Sequence, residues 1–70
     1  MKLFEILNDF LQGKKIRRAS WNETLWVEYN APTEMTRLYI MEEGGLRLID
    51  VDCQFSIRDV QADDWEFYNQ

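Results

Sequence analysis

A chain of 70 residues with one cysteine and no histidine has nothing to staple it together. A lone thiol makes no intrachain disulfide, and without histidine or a spaced cysteine cluster the usual structural zinc site is missing. The fold must therefore hold by burial, and a chain this short buries only about 60% of its unfolded surface. Against that stands a load of ten aromatic rings, four Phe, three Trp and three Tyr, many for so small an interior. Unstapled domains of this size often recover the missing burial by associating. The composition predicts one domain, residues 1–70, acting as a homo-oligomer.

Hydrophobic spacing lays out the elements. Leu3, Ile6, Leu7, Phe10 and Leu11 recur at three- and four-residue intervals among Glu5, Asn8, Asp9 and Gln12, which predicts an amphipathic helix over Lys2 to Gln12. Gly13 is placed to end it, and Lys14 and Lys15 follow where positive charge suits a helix C-terminus. Lys14 to Ala19 has β character around Ile16, Ser20 to Thr24 reads as a turn, and Leu25 to Tyr29 alternates as a strand, so this segment forms a hairpin with Trp21 at its tip. Tyr29 to Met35 holds the only proline and reads as a loop. Thr36 to Met41, the turn Glu42 to Gly45 and Leu46 to Val51 make a second hairpin. Phe55 to Ile57 reads as a short strand, Arg58 to Ala62 as one helical turn, and Trp65 to Tyr68 as a closing strand. The fold class is α+β, an N-terminal helix packed on a curved antiparallel sheet of about five strands.

The net charge of −5 argues against a grip on a nucleic-acid backbone, which needs a broad basic surface. It leaves room for one small phosphorylated ligand held by a local cationic cluster. No apolar run approaches the roughly 20 residues of a membrane span. The opening MKLFEILNDF carries acids within its apolar stretch, unlike a secretion signal. With a lone Cys53, this points to a reducing cytoplasm.

Catalysis finds little support. The commonest general base is missing, and Cys53 has no histidine to deprotonate it. Asp50 and Asp52 share a strand face that suits a hard cation, but no further carboxylates lie close by in sequence, and no metal is expected. Asp63 and Asp64 read as a solvated turn, and Gly44-Gly45 lacks the strand–loop–helix setting of a phosphate loop. No enzyme and no cofactor are expected.

Binding needs only stacking, hydrogen bonds and charge, and the stretch KKIRRASWNETLW offers all three. An aromatic face stacked on a base contributes about 1–3 kcal/mol. A guanidinium forks onto phosphate, and an asparagine reads a base edge or a ribose hydroxyl. Trp21, Asn22 and Arg18 supply these groups within five residues, with Trp26, Tyr39, Trp65 and Tyr68 as further stacking candidates. The plain alternative is that Trp21 caps a small core while the cations are solvated, and that Trp26 and Trp65 belong to the core or to a subunit interface.

Phe4, Leu7, Phe10, Gly13, Lys14, Lys15, Ile16, Arg18, Trp21 and Asn22, in that order and spacing, resemble the opening of the phage-borne Thoeris anti-defense 2-like domain. Tyr39-Ile40-Met41 and the closing run from Asp59 to Glu66 agree with it, so the resemblance spans nearly the whole chain. It implies an oligomer, commonly a tetramer, that sequesters cyclic ADP-ribose signals, or in some relatives cyclic oligonucleotides, in pockets where subunits meet, without cleaving them. Carried onto matching positions, Arg18, Trp21 and Asn22 are implied to contact ligand, Asp59 and Trp65 to shape the pocket, and Ser56 is what remains of a Pro-Ser-Gln segment. Two departures stand out. Glu23-Thr24 replaces a glycine-containing loop, and Asp52 to Ile57 replaces the proline-rich segment before the closing motif. An acidic chain of this kind has a second reading, a protein inhibitor that occupies the nucleic-acid groove of a host defence nuclease.

Overall fold

Helix α1 spans Leu3–Leu11 in the computed structural model, which describes residues 1–69. It starts where the Glu5 carboxylate accepts the Lys2 backbone N–H at 2.7 Å. It stops at Gly13, whose φ of +100° lies in the left-handed region that only glycine enters without strain. The Gly13 N–H donates to the Phe10 carbonyl and the Lys14 N–H to the Asp9 carbonyl, the paired closure that satisfies the last helical carbonyls. Of the apolar stripe, Leu3, Ile6 and Phe10 are buried while Phe4, Leu7 and Leu11 stay exposed.

Five strands follow: β1 Ile16–Arg18, β2 Leu25–Asn30, β3 Met35–Glu42, β4 Gly45–Asp50 and β5 Trp65–Phe67, with a short helix α2, Ile57–Gln61, between β4 and β5. They form one open antiparallel sheet in the order β4-β3-β2-β1-β5. Both expected hairpins are present, and the second turns at Glu43-Gly44 with Gly45 at φ +114°. The closing strand lands beside β1, with Ile16 opposite Phe67 and Arg18 opposite Trp65. Met1 then covers part of the outer side of β5, exchanging main-chain hydrogen bonds with Trp65.

One expected element is absent. Phe55 to Ile57 is not a strand, because Ser56 caps α2: its hydroxyl accepts the Asp59 N–H, and the Asp59 carboxylate accepts the Ser56 N–H in return. That reciprocal box starts a helix at Ile57 and leaves Phe55 to turn inward.

Register separates the two faces of the sheet. Helix α1 and the segment through Phe55 cover the first, where Ile16, Val27 and Trp65 join Leu3, Ile6 and Phe10 in one buried cluster. Phe55 bridges it, 5.2 Å from the Trp65 ring and 6.2 Å from Phe10. The second face presents Trp26, Tyr39 and Tyr68. Trp26 is fully buried yet lies outside the main cluster, because its ring sits between Tyr68 (4.4 Å) and Tyr39 (5.6 Å), both nearly parallel to it.

Ile16 is sealed between strands on both sides and the helix above, so Ile16→Ala should cost about 2–5 kcal/mol. A chain of this length has a total stability of roughly 4–10 kcal/mol. Urea unfolding followed by tryptophan fluorescence should therefore show a midpoint well below the parent's for Ile16→Ala, with a large share of the total stability lost. Val60→Ala, on the exposed side of α2, should stay within about 0.5 kcal/mol of the parent.

Candidate functional site

The closing motif folds back onto the opening one around the Arg18 guanidinium. Arg18 Nε donates to Asp64 Oδ1 at 2.6 Å, and Nη1 donates to Asp59 Oδ1 at 2.9 Å. Asp64 is thus half-buried and held by the Ser20 N–H as well as by Arg18, where a solvated turn was expected. The Trp65 indole N–H donates to the Asp59 carbonyl at 2.8 Å, and the Trp21 ring packs edge-on against Trp65 at 5.6 Å. Arg18, Trp21, Ser56, Asp59 and Trp65 therefore gather at one end of the first face, with Arg18 already paired to two carboxylates.

The remaining sequence candidates lie elsewhere. Asn22 is exposed in the turn, where its side-chain oxygen accepts from the Thr24 N–H and hydroxyl. Trp26 and Tyr39 stand on the second face, and burial leaves no open face of Trp26 for a base to stack on.

Open space occurs at the other end of β5. A cleft of about 540 Å³ is lined by Gly13, Lys14, Lys15, Phe67, Tyr68 and Asn69. A smaller one of about 260 Å³ adjoins it across Phe67 and Tyr68, with Arg17, Glu23 and Glu66 on its walls. Lys14 Nζ lies 5.8 Å from the Phe67 ring centre and Lys15 Nζ 5.2 Å from that of Trp26. The four cations divide sharply. Arg17 is held by Glu66 and the Trp21 carbonyl, both at 2.7 Å, and Arg18 by its two aspartates. Lys14 reaches Asp9 only at 3.5 Å and Lys15 reaches Glu28 only at 3.9 Å, solvated pairs worth little. Of the residues singled out from the sequence as ligand contacts, only the stacking candidate Tyr68 lines the larger cleft; Arg18, Trp21, Asn22, Trp26, Tyr39, Ser56, Asp59 and Trp65 do not. The signal for it was the Lys14-Lys15 pair beside a glycine, which reads equally well as a helix terminus.

Protonation follows the same geometry. The Arg18 hydrogen bond, helped by the Ser20 N–H and hydroxyl, holds the Asp64 carboxyl below the usual carboxylate range against a smaller effect of burial. Burial alone pushes Asp59 up, but the Ser56 N–H, Arg18 and the Ser56 hydroxyl together outweigh it and leave Asp59 low. Burial first, and then the carboxylates of Asp50, Asp59 and Asp52, pushes the Cys53 thiol up, which disfavours a thiolate at neutral pH. Among the described residues no three His, Cys, Asp or Glu side chains are grouped to hold a metal ion, and no helix is long and apolar enough to cross a membrane.

Two carboxyls depressed in the folded state bind protons less readily than in the unfolded chain, so their stabilisation is present above the ordinary carboxylate range near pH 4 and is lost below it. Urea midpoints should match at pH 7 and 5 and fall at pH 3. Asp64→Asn should be less stable than the parent at pH 7 and show a smaller acid loss. An equal acid loss in the variant would place the sensitivity elsewhere.

Comparison with known proteins agrees with the motifs that frame this network. No curated protein and no solved structure matches the chain. The description of one family does, the Thoeris anti-defense 2-like domain, over residues 1–68. With all but the last two residues covered, and with the opening and closing motifs joined through Arg18, the chain belongs to the Thoeris anti-defense 2-like domain family.

Proposed function

We propose that this protein counters Thoeris defence as a phage protein in the cytoplasm of the infected host, by holding a cyclic nucleotide signal, a cyclic ADP-ribose isomer or a cyclic oligonucleotide, without cleaving it. The observation that carries the reading is the cleft of about 540 Å³ in which two loosely paired lysines meet Phe67 and Tyr68. Its size falls within the usual range for small-ligand sites, roughly 300–1,000 Å³. An anionic ligand entering there displaces only weak carboxylate contacts at Asp9 and Glu28. At Arg18 it would have to break charge-assisted bonds of 2.6 and 2.9 Å. In this reading Arg18, Asp59 and Trp65 act as supports that fix β1 against β5, and Trp21 and Asn22 shape the turn between β1 and β2.

Sequestration needs tight binding. Nanomolar affinity requires about −12 kcal/mol, more than a stacked base and two exposed ammonium groups supply, so a site shared between copies in a homo-oligomer fits the requirement.

Isothermal calorimetry with cyclic ADP-ribose isomers and cyclic di- and trinucleotides tests this directly. One class should bind with nanomolar to low-micromolar affinity and be recovered chemically unchanged by mass spectrometry. Lys14→Glu with Lys15→Glu should weaken it at least tenfold while leaving the circular dichroism unchanged. No heat from any of these ligands rejects the proposal, and a salt-sensitive protein partner in its place favours the inhibitor reading that the net charge of −5 allows.

A further inference from the structure

The second face of the sheet has no layer over it. Antiparallel sheets with one face on the core keep the other polar toward water. Here the register puts Trp26, Tyr39, Met41, Leu46, Leu48 and Tyr68 on that outer side. Leu46 is 59% and Leu48 39% exposed, and every residue of β4 is exposed although it pairs along β3. As the outermost strand of the sheet, β4 has one paired edge and neither face covered. The Trp26 indole N–H is satisfied internally by Glu28 at 3.0 Å, so the middle of the patch asks nothing polar of whatever covers it.

We infer that this helix-free face is the contact surface for a second copy of the same chain, paired about a two-fold axis. The charges choose the occupant. The chain as a whole carries 13 carboxylates against 8 cations, so most of its surface repels a copy of itself. The outer face instead mixes signs, with Lys15, Arg17 and Arg37 beside Glu28 and Glu66. Arg37 is directly across from Glu28 in the β2–β3 ladder and takes part in no ion pair among the described residues. With the Arg17–Glu66 and Lys15–Glu28 pairs closed within the chain, the patch carries little net charge, so a second copy related by a two-fold approaches here without the repulsion that the acidic remainder of the surface imposes. A nucleic acid would need one sign over the whole patch, and a base would need an open indole face that Trp26 does not present. The same apposition places the partner beside Lys15 and Tyr68, which belong both to this face and to the lysine cleft. The inference rests on the oligomeric part of the reading above and names its surface.

Sedimentation equilibrium of the full chain without nucleotide separates the two ideas. The parent should have an even multiple of the 8.5 kDa chain mass at micromolar concentration. Leu46→Glu with Leu48→Glu should bring it to the monomer mass, with circular dichroism retained. Phe4→Glu with Ile57→Glu, on the helix side, should leave the mass unchanged. In a Cys53→Ser background, the thiol introduced by Leu46→Cys should react with a maleimide at least tenfold slower than the one introduced by Phe4→Cys, which keeps the test valid if the glutamate variant does not fold. A monomeric parent, an assembly lost through the helix-side substitutions, or equal thiol reactivity at both positions overturns the surface assignment. Nucleotide binding by a monomeric parent would leave the ligand reading standing alone.

Discussion

The Arg18 guanidinium is the centre of the contact that brings the two halves of this chain together. β5 is three residues long and reaches β1 only after the chain has run out through two hairpins and back. Three residues of ladder are a weak tether against the loop entropy of that excursion. Arg18 strengthens it, because it pins both the strand-entry residue Asp64 and the helix residue Asp59 from a side chain that is itself fixed in the middle of the sheet. Trp65 then drops into the core between Phe55 and Trp21, and its indole N–H returns to the Asp59 carbonyl. The opening and closing motifs are thus two halves of one contact, which gives a structural reason for both to mark the same family.

That contact also explains what the sequence could and could not tell. Elements defined by local chemistry were legible: the 3.6-residue stripe of α1, its glycine stop, and the alternating runs on either side of Glu43-Gly44. Phe55 to Ile57 misled because an apolar–polar–apolar triplet has the period of a strand, while the capping partner of Ser56 lies three residues further on. The five-strand sheet followed from counting, but the position of β5 beside β1 depends on pairing across the whole chain, which no local pattern encodes. Arg18 drew attention as an available cation because its acidic partners are 41 and 46 residues away in sequence. The tryptophans divided for the same reason: strand alternation puts Trp26 and Val27 on opposite faces, but which face the helix covers is a tertiary fact.

The second face shows how an unstapled chain can bury a large ring without a second layer. Trp26 loses all contact with water because flat neighbours from β3 and from the end of β5 stand on either side of it, with Lys15 close above. Offset stacking of this kind adds about 0.5–1.5 kcal/mol per pair beyond the area buried. It protects the tryptophan at the expense of its tyrosines and of Leu46 and Leu48, which remain the apolar rim of a sheet that stops at β4.

Charge is sorted in a way that bears on function. Most of the carboxylate excess lies away from the helix C-terminus, and the two arginines nearest the core are held by short ion pairs to Glu66, Asp59 and Asp64 that an incoming anion would have to displace. The lysines at the start of β1 differ: an ammonium on a long flexible stem gives up a carboxylate at 3.5–3.9 Å for a phosphate oxygen at hydrogen-bond distance with little loss. Rigid guanidinium groups therefore serve the fold and mobile ammonium groups face the cleft. An acidic chain that keeps its two most mobile cations beside two aromatic rings retains a favourable local potential for a small anion, while its overall charge disfavours a polyanion.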